Sequence, residues 1–149
     1  MSPTKLHQSS TLDLYSALTE TELSLPLASG KISAGFPSPA SDFVDVAIDL
    51  NKHLIKHPST TFFGRVRGQS MQDVGISDGD LLVIDKGLEP EDGKIAVCFI
   101  DGEFTVKRIR FQKDGCYLMP ANDAYKPIHV TADNEFLIWG IVTHVIKSF

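Results

Sequence analysis

From Thr60 to the C-terminus the chain is a succession of short, apolar-alternating runs punctuated by Asp-Gly pairs, a pattern few folds accept. Strand-like runs cover Thr61 to Arg67, Leu81 to Asp85, Lys94 to Ile100, Glu103 to Phe111, Cys116 to Met119 and Phe136 to Val142, with a last one near His144 to Lys147. Asp78-Gly79, Asp101-Gly102 and Asp114-Gly115 each supply the pair favoured in tight turns. Asp101-Gly102, between two strongly strand-like runs, predicts a hairpin. Many short strands with little helix predict a mainly β domain: short antiparallel strands in a partly closed sheet. Just upstream, Val44, Val46, Ile48 and Leu50 alternate as a strand does. Asp49 is placed to cap a short helix over Leu50 to Lys56, ended by Pro58.

The N-terminal part has a different texture. Residues 1–34 hold few aromatic or long apolar runs, and from Gly30 to Ser41 two glycines and two prolines deny a regular helix. That stretch reads as an exposed, extended linker or arm. At 149 residues and 42% hydrophobic composition, the remainder is enough for one compact domain without a stapling metal or disulfide.

The net charge of −5 disfavours a domain built to neutralise a nucleic-acid backbone. Arg65, Arg67, Arg108 and Arg110 read as solvated strand faces. Cys98 and Cys116 are too few for a disulfide framework and match no metal spacing, and Cys98 reads as core filler. His53 and His57 stand four apart with no acid between them, and His129 and His144 belong to no motif, so no metal or cofactor is expected. The longest apolar runs fall short of the ~20 residues of a membrane span. The N-terminus has no basic segment leading into an apolar block, so the expected compartment is the cytoplasm.

Two segments carry possible chemistry. Gly68-Gln69-Ser70-Met71-Gln72-Asp73 follows a strand, and the glycine lets the backbone bend sharply and expose the Ser70 hydroxyl. Ser70 with Asp73 three residues on equally resembles a helix cap. Lys107 shares a strand face with Thr105, Ile109 and Phe111, two of them large and apolar, so its ammonium is a candidate for burial. An ordinary lysine titrates near pH 10.4, and a useful base near 7–8; that lowering costs about 4 kcal/mol, which partial burial can impose. The alternative is a lysine that snorkels to solvent at a sheet edge.

Beyond these two segments, the runs Gly35-Phe36-Pro37-Ser38-Pro39-Ala40-Ser41-Asp42-Phe43-Val44 and Ile48-Asp49-Leu50-Asn51 resemble the UmuD proteins. So do Gly68-Gln69-Ser70-Met71, Gly75 to Leu82, and Asp101 to Lys107, in the same order along the chain. The resemblance runs from about Gly35 to the C-terminus and is to the LexA/UmuD family of self-cleaving serine peptidases. It implies a β-rich catalytic and interaction domain over residues 35–149 and an extended N-terminal arm, residues 1–34, removed by self-cleavage. Ser70 would be the nucleophile and Lys107 its base, with the Gln69 and Ser70 N–H groups as oxyanion donors and Ala34–Gly35 as the bond cut. Ala34 stands where some UmuD proteins carry cysteine.

The resemblance further implies a homodimer, stimulation by the RecA–single-stranded DNA filament, and partnership with an error-prone, UmuC-like translesion polymerase in the SOS response. The main alternative is a LexA-like or phage-like self-cleaving repressor. That class needs a DNA-reading module before the cut, and the 34 residues before Gly35 show no basic recognition helix.

Overall fold

The computed structural model describes residues 4–8, 11–18, 22, 24–28 and 44–149. The chain divides into two units, one formed by Met1–Ala17 with His57–Phe149, the other by Leu18–Lys56.

In the smaller unit, β3 (Ser24–Ala28) and β4 (Val44–Asp49) pair antiparallel. Asp49 caps α1 (Leu50–Leu54), its carboxylate accepting from the N–H groups of Asn51 at 3.0 Å and Lys52 at 3.4 Å. The helix is shorter than its predicted end at Lys56. Ile55 is already extended, and Pro58, which disfavours helical backbone before it, opens a 3-10 turn over Pro58–Thr60.

The larger unit is one nine-stranded antiparallel sheet. Its strands are β1 (Lys5–Gln8), β2 (Leu12–Ser16), β5 (Thr61–Val66), β6 (Leu81–Asp85), β7 (Ile95–Ile100), β8 (Glu103–Gln112), β9 (Gly115–Met119), β10 (Ile128–His129) and β11 (Phe136–Ile146). They lie in the order β1-β2-β5-β6-β11-β7-β8-β9-β10. The expected hairpin joins β7 to β8, with Ile100 opposite Glu103 and positive φ at both Asp101 (49°) and Gly102 (86°). Asp78-Gly79 does not turn a tight hairpin. It closes the long β5–β6 loop, where Gly79 N–H donates to the Val66 carbonyl at 2.8 Å.

The two strand-like runs near the C-terminus are one strand, β11. Register shifts at Ile138/Gly140 and Val142/His144 let its first half pair with β7 and its second half with β6.

β1 and β2 were not legible in the sequence. β2 pairs with β5 over five positions, from Leu12 opposite Val66 to Ser16 opposite Phe62. The sheet curls enough for strands at distant places in that order to meet. The His7 and Phe104 rings lie 4.7 Å apart, and Phe104 stands edge-on to Trp139 at 5.9 Å. One buried cluster gathers Leu12, Leu14, Met71, Ile76, Leu82, Ile84 and Val97 beneath this curl. A second gathers Ala96, Cys98, Ile109, Leu118 and Ile141. Cys98 is fully buried there, and burial pushes its thiol up to about 12, as core filler requires.

Ile84 is wholly buried in the first cluster. Ile84→Ala should lower unfolding stability by about 2–5 kcal/mol, read from a urea titration with unchanged slope. A loss below about 1 kcal/mol would show that this part of the core collapses around the cavity.

Candidate functional site

The loop between β5 and β6 presents Ser70. Gly68 enters it with φ 93°, a left-handed conformation that costs a residue with a Cβ, and the Gly68 N–H donates to Asp78 Oδ1 at 2.8 Å. The following 3-10 turn, Gln72–Val74, starts from Met71 with no side-chain cap, so the Ser70 hydroxyl is not a helix cap.

A second loop fixes the serine turn from outside. Ala121 N–H donates to the Ser70 carbonyl at 2.7 Å, Asp73 N–H donates to the Ala121 carbonyl at 2.7 Å, and Asn122 Nδ2 donates to the Gln69 carbonyl at 2.8 Å. Among the described residues, neither the Gln69 nor the Ser70 N–H donates to a backbone carbonyl.

Lys107 comes to this loop from β8. Its Nζ lies 2.9 Å from Ser70 Oγ, 2.8 Å from Thr105 Oγ1 and 3.2 Å from the Val106 carbonyl. Lys107 is only 6% exposed, so it does not snorkel. No carboxylate approaches its Nζ among these contacts, and burial holds its pKa below the ordinary lysine value. The consequence is a lysine nitrogen that gives up its proton more readily than a surface one, in hydrogen-bond reach of a serine hydroxyl.

Ser70 opens on a narrow cleft whose walls include Thr11, Arg67, Ile76 and Thr105. Thr11, ahead of β2, donates its hydroxyl to the Phe104 carbonyl at 2.5 Å and accepts from the Arg67 N–H at 2.8 Å. Arg67 Nη2 meets Asp13 Oδ2 at 2.8 Å, and its hydrogen bond holds the Asp13 carboxyl below the usual range.

The sequence around this site has known relatives. The Peptidase S24-like family model matches residues 26–143. The chain belongs to that family. It is 45% identical to the protein MucA of Salmonella typhimurium over 122 residues, 81% of this chain and 83% of MucA. It is 43% identical to SamA of the same organism over 123 residues, 83% of this chain and 85% of SamA. It is 39% identical to the LexA repressor of Alcanivorax borkumensis over 127 residues, 85% of this chain but 61% of the repressor. Within the family it is a UmuD-like member.

Of the residues singled out from the sequence, Gln69, Ser70 and Lys107 come together, and Ala34–Gly35 lies outside the described residues. The histidines stand apart from the site. His57 Nδ1 meets Asp85 Oδ2 at 2.5 Å, and His129 stacks on Tyr117. The arginines are engaged rather than simply solvated: besides Arg67, Arg65 donates to the Gly79 carbonyl and Arg108 to the Gly93 carbonyl. Ala121, Asn122, Thr11 and Asp13 went unremarked in the sequence. Only the Leu12-Asp13-Leu14 alternation, a strand signal three residues long, could have pointed to the last.

The lowered Lys107 pKa has a thermodynamic signature. Between its folded pKa and about 10.4 the unfolded chain binds the extra proton, so stability rises with pH across that window and the cost of burying the charge is present below it. Lys107→Met should therefore be more stable than the parent at neutral pH, by a margin that shrinks towards pH 10. A margin constant over that range in urea titrations would mean Lys107 titrates as a surface lysine.

Proposed function

We propose that this chain cuts its own Ala34–Gly35 bond, using Ser70 as nucleophile and Lys107 as base. The observation that carries the reading is the buried Lys107 Nζ 2.9 Å from Ser70 Oγ, with no carboxylate among its contacts. In its neutral form Nζ accepts the Ser70 proton as Oγ attacks the Ala34 carbonyl carbon. The Gln69 and Ser70 N–H groups stabilise the oxyanion that develops.

Collapse breaks the bond to Gly35, and the Lys107 ammonium protonates the departing amine. Water, deprotonated by Lys107, then hydrolyses the Ala34 ester on Ser70, leaving a carboxylate at Ala34 and a free Ser70. Small residues flank the bond, and prolines at 37 and 39 favour extended over helical backbone, a composition that suits a narrow cleft. A tethered substrate is present at high effective concentration, so a modest catalyst suffices.

The biological reading follows from the family resemblance. The cut form is the accessory subunit of an error-prone, UmuC-like translesion polymerase, acting as a cytoplasmic homodimer in SOS mutagenesis. The RecA–single-stranded DNA filament stimulates the cut by favouring a cleavage-competent state. The likeness over most of the length of MucA and SamA supports this reading over that of a repressor.

Purified chain incubated with RecA filaments, or at alkaline pH, should split into pieces beginning at Met1 and Gly35, read by intact mass. Ser70→Ala and Lys107→Ala should stay whole; splitting of Ser70→Ala would remove the nucleophile assignment. The unstimulated rate should rise with pH through the lowered Lys107 pKa and level off before the ordinary lysine range. A rate flat from pH 7 to about 10 would rule out a lysine base.

A further inference from the structure

The segment Leu12–Ser16 is held like a bound peptide. It adds one strand to β5, with Leu12 opposite Val66, Asp13 opposite Arg65 and Leu14 opposite Gly64. Leu12 and Leu14 are 0% and 1% exposed. Gly64 leaves room for Leu12: a Cβ there would stand 2.9 Å from Leu12 Cδ1 and 3.0 Å from Ile84 Cδ1, so those side-chain ends would have to shift. Between the two leucines, Asp13 Oδ2 takes the hydrogen bond from Arg67 at 2.8 Å and lies 3.3 Å from Lys5 Nζ. The same Arg67 donates its backbone N–H to the Thr11 carbonyl, so strand and cleft share a wall beside Ser70.

All the recognition elements on the strand therefore lie well before Ala34. In the uncut chain, β2 and β5 are joined covalently through residues 17–60, and docking is intramolecular. Once the Ala34–Gly35 bond is broken, the strand belongs to a separate piece and its occupancy follows concentration. We propose that the β5 edge is a strand-binding site for an extended polypeptide with apolar, acidic and apolar residues in succession. The chain's own Leu12–Ser16 fills it until the cut, and after the cut that strand exchanges with any free strand of the same chemistry. Gly64 and the leucine sockets select the apolar positions, and Arg67 selects the acid. The trigger rests on the self-cleavage reading; the strand site does not.

The test separates the two. A full-length Ser70→Ala chain is given a site-specific protease recognition sequence between Ala34 and Gly35, so that it is cut without self-cleavage. A fluorescein-labelled synthetic peptide of residues 4–17 serves as probe, read by anisotropy. The peptide should not bind before the cut and should bind saturably after it, displacing the native 1–34 piece. Peptides carrying Asp13→Lys, or Leu12→Ser with Leu14→Ser, should bind at least about tenfold more weakly, as expected for losing a charge-assisted hydrogen bond or two buried leucines. Using altered peptides leaves the fold of the protein itself untouched.

Equal binding before and after the cut would overturn the proposal. So would failure of the peptide to bind a cut chain that has lost its 1–34 piece, or a piece that a hundredfold excess of peptide does not displace. So would indifference to Asp13→Lys. Absence of self-cleavage in the unmodified chain sinks the catalytic reading and leaves the anisotropy result standing.

Discussion

Placing the Nζ of Lys107 out of water is costly, because the charged ammonium loses its hydration and no carboxylate among its contacts replaces it. What remains around it are a serine hydroxyl, a threonine hydroxyl and one carbonyl, enough to hold a neutral or singly donating nitrogen but poor compensation for a full charge. The surrounding architecture serves that arrangement. β8 pairs with β7 over Glu103–Arg108 and with β9 over Arg108–Gln112, so the backbone that carries Lys107, opposite Ala96, is fixed in the sheet. The serine loop is closed at its base by Val66 and Gly79 and clamped from above by Ala121 and Asn122.

In the proposed mechanism stability and chemistry are set against each other at one residue. The desolvation that lowers the Lys107 pKa is destabilising at neutral pH, and the same burial would make the nitrogen a usable base. The fully buried leucines and isoleucines of the neighbouring cluster supply the apolar burial that offsets it.

The N-terminal hairpin changes the picture of a simple disposable arm. Leu12 and Leu14 are core residues by any measure of exposure, and Thr11 is part of the cleft wall. Cutting near residue 34 would therefore separate two strands, β1 and β2, from the sheet they extend. Self-processing of that kind, as proposed, would alter a surface as well as a length: an edge that was paired would become one that pairs by mass action.

By itself the sequence determined most of the strands after residue 60 and the Asp101-Gly102 hairpin, though not the two-residue β10, because alternation and Asp-Gly turn chemistry act over a few residues and need no distant partner. Even there, β11 read as two strands, since bulges interrupt the alternation that continuous pairing restores. In Ser70 and Lys107 it marked residues whose local contexts also allowed a cap and a surface lysine. Only the tertiary structure brought these two, 37 positions apart, within 2.9 Å, because that distance depends on a long loop and on a strand, β8, four places from β5 in the same sheet. It alone decided the place of Leu12–Ser16. Three alternating residues do not define a strand until Gly64 to Val66 stand opposite and the Arg67 side chain reaches Asp13.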